Sequence, residues 1–233
     1  MKHYKLLGLI TVLYVAFQLV SDVTAGKIIT LGIFTVSATI LYFPFTYIFS
    51  DIITEVYGFA RARTVIWQVL LVSVLAGTLY QLVVWLPAAP GFEGSDAYTR
   101  VLGSVPRILV GGWLAVLAGA FVNDYIMAKM KVWANGKHFW IRAITSTVAG
   151  EGVNTVIFYI IALYAVIPDG LLVSSILSGW FLKVAVETLM TPITYRVVKK
   201  IKTLENEDYY DTKTDFNPFA VVALPSITES TRS

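Results

Sequence analysis

Six apolar stretches, each long enough for a helix to cross a bilayer, constrain this chain more than any other feature. They run over about Tyr4–Ala25, Ile28–Ser50, Thr64–Leu86, Val105–Ala128, Ile141–Ile167 and Leu171–Val198. A hydrocarbon core about 30 Å thick needs roughly 20 apolar residues in helix, and unpaired backbone groups are too costly in lipid for such stretches to be irregular. The sequence therefore predicts an all-α integral membrane protein with six transmembrane helices in one domain, residues 1–202, followed by a flexible cytosolic tail, residues 203–233. Composition agrees. With 57% of residues hydrophobic and 14% charged, against about a quarter charged in a soluble domain, the chain has too few polar side chains to cover a water-facing surface. Lysines precede the first stretch, as in a secretory signal, but Ser21-Asp22-Val23-Thr24-Ala25 makes no convincing cleavage site. That stretch is expected to remain as the first helix.

Lysine and arginine mark the cytosolic side. With the N-terminus inside, twelve fall at inner ends: Lys2, Lys5, Arg61, Arg63, Lys129, Lys131, Lys137, Arg142, Arg196, Lys199, Lys200 and Lys202. Only three, Lys27, Arg100 and Arg107, fall at outer ends. Both termini are thus expected in the cytosol. The longest outer connection, Pro87–Ser104, holds Gly91, Gly94 and two acids, and reads as a mobile loop.

An internal echo links the fourth and fifth stretches. Gly119-Ala120-Phe121-Val122-Asn123-Asp124 resembles Gly150-Glu151-Gly152-Val153-Asn154-Thr155, on helices that run in opposite directions. Transporters are commonly built from inverted repeats with the site at the repeat interface. Chance similarity in an apolar chain is the other reading.

Ionisable side chains inside a membrane cost about 2.5–3.5 kcal/mol or more each, and mark pathways or sites by default. Glu151 lies about ten residues into the fifth stretch, about 15 Å deep at 1.5 Å per residue. Thr147, Asn154 and Phe158 share its helix face. Gly150 and Gly152 leave room beside it for a neighbouring helix or a flat ligand. The structural alternative is hydrogen bonding that merely joins helices. Lys183 and Glu187, one turn apart on the sixth stretch, can pair with each other, and Lys183 also lies near the depth of Glu151. Asp51 and Glu55 close the second stretch on one face with Tyr47, after a kink expected at Pro44. Together with Tyr57-Gly58 they read as a cytosolic gate or as solvated helix-end acids. Asn123-Asp124 sits in the inner half of the fourth stretch, and Lys27, at the outer end of the first, can snorkel to water.

Several chemistries are disfavoured. There is no cysteine, and the two histidines, His3 and His138, sit beside helix ends. A buried metal site, a cofactor and a Ser/His/Asp constellation are therefore not expected. Nothing matches the phosphate-binding loop G-x-x-x-x-G-K-[ST]. Transport fits these residues better than catalysis.

Two long motifs carry a family resemblance. Asp51-Ile52-Ile53-Thr54-Glu55-Val56-Tyr57-Gly58, followed by Arg61 and Arg63, resembles the signature of the queuosine precursor transporters, also called the vitamin uptake transporter type. Trp140-Ile141-Arg142, then Ser146-Thr147 through Gly150–Thr155 and Phe158, resembles the fifth-helix motif of that family. The pair Ala25/Lys27, Asn123-Asp124 and Thr214–Phe219 also fit it. Three positions depart: Asn154 stands where the family usually has Asp, Glu151 where Gln is frequent, and Ala120 where a subgroup has an acid.

The resemblance implies a multi-pass protein of the bacterial inner membrane. It would import 7-deazaguanine precursors of queuosine (the nitrile or aminomethyl base, or queuine) without touching nucleic acid. Glu151, Asn154, Thr147, Phe158, Asn123 and Tyr47 would bind the base, while Asp51, Glu55, Lys183, Glu187, Asp124 and Lys27 would couple or gate. A carboxylate can take the N1–H and exocyclic NH2 of a guanine-like edge as a charge-assisted pair. An energy-coupling factor subunit that only binds substrate is the alternative, and an embedded enzyme or scaffold a third class. Gly111-Gly112 and Gly119 would also permit a homodimer through close helix approach.

Overall fold

In lipid a helix satisfies its own backbone donors and acceptors, and five of the six apolar stretches become single long helices. The computed structural model describes residues 4–25, 27–31, 34–103, 106–164 and 169–220. Its long helices are α1 (Leu7–Thr24), α3 (Phe59–Trp85), α5 (Pro106–Trp133), α6 (Phe139–Leu163) and α7 (Asp169–Glu205), and the shorter α2 (Pro44–Tyr57) and α4 (Ser95–Leu102) complete the helical set. All five long helices are long and apolar enough to cross a membrane. Their outward faces are apolar: Leu71, Leu75, Leu79, Val173, Leu177 and Phe181 are exposed, while Asp51, Glu55, Asn123, Asp124, Glu151 and Glu187 are buried. That distribution is inverted relative to a soluble protein, in which charged residues are almost never fully buried unless paired. The chain is an integral membrane α-protein.

The second stretch departs from expectation. Ile28–Ser50 is not one helix: strands β1 (Ile28–Leu31) and β2 (Phe34–Ser37) pair antiparallel, a 3-10 turn covers Ala38–Leu41, and α2 begins only at Pro44. Seven of the twelve residues from Ile28 to Thr39 are β-branched, and such side chains favour extended backbone. Hydropathy does not distinguish the two outcomes. Pro44 opens α2 rather than kinking a longer helix, since its missing N–H costs nothing in the first turn. With 14 residues, α2 is about 21 Å long, short of a full crossing. It is nearly all buried, from Pro44 to Tyr57, so protein rather than lipid surrounds it.

The start of α1 and the end of α7 share one face. Backbone N–H groups of Lys5 and Leu6, just before α1, donate to Glu205 at the end of α7, and Tyr4 donates to Glu207. At the opposite end the connection expected to be a mobile loop contains α4, and Gln81 of α3 donates to the Leu102 carbonyl at 3.0 Å.

Helices α5 and α6 cross at the echoed motifs, and the crossing is reciprocal. A Cβ on Gly119 would fall 2.7 Å from Asn154 Cβ and 2.8 Å from the Gly150 carbonyl, while one on Gly150 would fall 2.8 Å from Asn123 Cβ and from the Gly119 carbonyl. Each glycine thus admits the backbone of the other helix. Gly111 likewise packs on Ile161 of α6. Two of the three glycines that suggested dimerisation are therefore used inside the chain. Gly150→Ala should force α5 and α6 apart at a cost of about 1–3 kcal/mol or more. The expected result is a clear loss of thermal stability in detergent, and an unchanged melting temperature would contradict this packing.

Candidate functional site: a polar column on the bundle axis

Helix α2 carries its polar side chains on the most enclosed path in the molecule, and its neighbours answer them level by level. At the first level Lys183 of α7 reaches α6. Its Nζ lies 3.0 Å from Glu151 Oε2, 2.9 Å from Asn154 Oδ1 and 3.4 Å from Thr155 Oγ1. It also stands 4.7 Å from the centroid of the Phe43 ring. Glu151 has no exposed surface, and its Oε1 has no hydrogen-bond partner.

One turn further along, Thr147 donates to Glu187 Oε1 at 2.6 Å, and Tyr47 donates to the Gly150 carbonyl at 3.4 Å. Lys183 and Glu187 therefore each bond across to α6 rather than to one another. The next level joins α2 to α5. Asn123 donates to Asp51 Oδ1 at 2.7 Å, and Ser50 donates to both oxygens of Asp124 at 2.8 and 3.0 Å.

The last level, at the C-terminal end of α2, is ionic. Glu55 accepts from Arg142 of α6 through both oxygens, and from Lys202 of α7 at 2.6 Å. Lys131 of α5 stands 3.8 Å from the same carboxylate and also donates to the Glu55 backbone carbonyl. Side chains of Glu55, Arg142 and Lys131 are each 1% exposed. The sequence presents these three bases only as an inner-side charge bias. The available signal was that α5 ends and α6 begins within a short turn, with Lys131 and Arg142 on its two sides.

Residues 206–220, the first part of the expected flexible tail, pack as a strap across this end. Asp208 bonds Lys131 at 2.5 Å and Lys202 at 2.8 Å, and Tyr209 N–H donates to the Val56 carbonyl. Both Asp211 oxygens accept from the Phe59 N–H at 3.1 Å, which caps the positive end of α3. Arg63 donates to the Asp215 and Asn217 carbonyls, Trp67 donates to Pro218, and Phe216 stacks on Phe59 at 4.9 Å. Gly58, at φ +87°, leaves the space that the Tyr209 ring fills. The remainder of the tail lies outside the described residues.

Asp208 stands outside the helices. Partial burial acts to raise its pKa, but hydrogen bonds from Lys131 and Lys202 prevail and hold it below the ordinary value. Its contribution to docking is then complete above the ordinary carboxylate pKa and is lost as pH falls through the lowered one. Asp211→Ala removes the α3 cap, worth about 1 kcal/mol. We expect faster protease cleavage in residues 206–220, further accelerated in acid; equal cleavage of both proteins would count against a docked strap.

Not every expected residue joins the column. Phe158 is half-buried and packs edge-on against Tyr159 at 5.7 Å. Lys27 is exposed at the far end. A cavity of about 10 Å³ lies between α1, α3 and α5 beside Asp22, Ser73 and Trp113, and a surface groove runs along Arg196, Lys199 and Thr203. Neither is lined by Glu151. Along the column Glu151, Glu187, Asp51, Asp124 and Glu55 are buried, while Lys183 keeps 20% of its side chain exposed.

The model of a protein family described as "Putative vitamin uptake transporter" matches residues 37–197, well over half of the chain. The chain belongs to this family. The match takes in the column from Phe43 to Glu187, while α1, Lys202 and the strap fall outside it. Two curated bacterial proteins resemble this vitamin uptake transporter family member. One, from Bacillus subtilis (strain 168), is called "Probable queuosine precursor transporter" and is 24% identical over 175 residues, 74% of this chain and 76% of the relative. The other, from Escherichia coli (strain K12), is called "Queuosine precursor transporter" and is 22% identical over 122 residues, 52% of each chain. No solved structure matches. This member of the vitamin uptake transporter family is a multi-pass membrane transporter of a small solute, not an enzyme.

Proposed function

We propose that the protein imports queuosine precursors, 7-deazaguanine bases such as the nitrile or aminomethyl base or queuine, across the bacterial inner membrane for salvage into tRNA modification. The names of the two relatives support the solute class. The observation that carries the site is the Glu151 carboxylate: buried among α6 and α7, with one oxygen unpartnered and the other held by a lysine that keeps only 20% of its side chain exposed. Lys183 occupies the position that the donor edge of a base would take. On loading, the N1–H and exocyclic NH2 replace it on the carboxylate, as two parallel charge-assisted bonds. Asn154 serves O6 or the pyrrole N–H, since an amide both donates and accepts. Phe43, already beneath the Lys183 ammonium, offers a face for stacking.

The chain passes through the membrane six times in this reading, the second time by the 3-10 turn and α2, with both termini in the cytosol. Glu55 with Arg142, Lys202 and Lys131 is the inner gate, shut here and covered by the strap. Alternating access then requires that these ion pairs separate. The solute-facing Asn154, in place of an acid, disfavours a cationic aminomethyl group relative to the nitrile.

The test is uptake of the nitrile base into vesicles reconstituted with this chain alone. Saturable uptake is expected. Uptake that requires an added ATPase pair and a second membrane subunit would instead make the chain an energy-coupling factor subunit, and absence of binding would refute the solute class.

A further inference from the structure

Above the Glu55 cluster the column holds four buried carboxylates, Glu151, Glu187, Asp51 and Asp124. Among the described residues the base bonded within this set is Lys183, and Glu151 takes it. Asp51, Asp124 and Glu187 are bonded only to neutral groups: Asn123, Ser50 and Thr147. Arg142, whose charge reaches Asp51, is committed to Glu55, and Arg63 of α3 is turned to the strap. The remaining titratable groups that face the set do not neutralise it. They are Tyr14 of α1, Tyr47 of α2 and, near Asp124, Asp211 of the strap.

The same region is short of hydrogens. Asn123, with no exposed surface, spans the two aspartates: its Nδ2 is 2.7 Å from Asp51 Oδ1 and 3.4 Å from Asp124 Oδ1, and its own Oδ1 receives no donor. Glu187 Oε2 receives none either. An ionised carboxylate only accepts, whereas its acid form supplies an O–H. Protons on this set would therefore remove uncompensated charge and fill the missing donors together.

We propose that Asp51 and Asp124, bridged by Asn123, form a proton-binding pair that couples solute entry to an inward proton gradient, with Glu187 joining the pair to the solute level. This rests on the import reading above. The carboxylates take protons while the column opens outward and stay neutral while it is closed. They release the protons to the cytosol when the Glu55 gate one turn further in comes apart. No bond of the solute changes.

Two measurements test it. The first needs no solute: the infrared C=O band of protonated carboxyls, recorded on the purified full chain in acid and alkaline buffer. Asp51→Asn and Asp124→Asn should each reduce that band, and a band unchanged in both variants overturns the pair. The second compares solute exchange without a gradient against uptake driven by an acid exterior, in vesicles containing the nitrile base. Wild type should accumulate solute about tenfold per pH unit for one proton carried. Either variant should keep exchange and lose the response to the gradient. Ser50→Ala, which leaves both carboxyls in place, should shift the pH midpoint of driven uptake. A response retained in both Asn variants overturns the proposal, as does stimulation by sodium at fixed pH that disappears in them. If wild type exchanges no 7-deazaguanine but the band falls in the variants, the import reading fails and the proton pair stands.

Discussion

Replacing Glu151 by Gln is expected to weaken 7-deazaguanine binding by roughly 10- to 150-fold, the loss of a hydrogen bond to a charged acceptor worth about 1.5–3 kcal/mol. The amide keeps the shape of the side chain but presents one acceptor oxygen and an NH2. The NH2 then opposes one of the two donors on the edge of the base, so the bidentate pair is lost rather than merely weakened. Lys183, 20% exposed and already 2.9 Å from Asn154, keeps a partner in the variant, so the fold should tolerate the change. The measurement is direct binding to purified protein, with melting temperature as the control. Equal affinity in the two proteins would take Glu151 out of the solute site.

Glu55→Gln should give the largest stability loss in the molecule. One carboxylate there holds Arg142 and Lys202 and faces Lys131, and among the described residues Asp208, 45% exposed, is the second acid offered to the two lysines. Removing one partner from a buried pair costs about 3–5 kcal/mol, because the opposite charge stays behind. In this cluster Arg142, almost fully buried, would be left with backbone carbonyls alone, and Lys131 with Asp208 as its acid. We expect a large fall in thermal stability and, in whatever protein survives, proteolysis in residues 206–220 as the strap loses its anchor. A melting temperature close to wild type would mean that the cluster is open to water, and the gate assignment would fail with it.

The membrane character and five of the helices were legible because hydropathy over about 20 residues is a local property, settled by lipid before any packing occurs. The same window misjudged Ile28–Ser50, where β-branched residues and Pro44 outweighed apolarity. Glu151, Asp51 and Glu55 stood out from sequence alone, because an ionisable residue in an apolar run is conspicuous without knowledge of its partner. Partners were another matter. Lys183 could equally have met Glu187 on its own helix, and nothing in the order of residues announced that Arg142, Lys131 and Lys202 converge on Glu55, or that Asp208 and Asp211 turn back over that end of the bundle.

What the sequence by itself determined is which segments enter lipid and which side chains are too costly there to lack a role. Only the tertiary structure decided how those side chains pair, level by level along α2. Burial cost belongs to a single residue and its surroundings, whereas its compensation needs a second group within about 3 Å, and that proximity is created by helix packing across long separations in the chain.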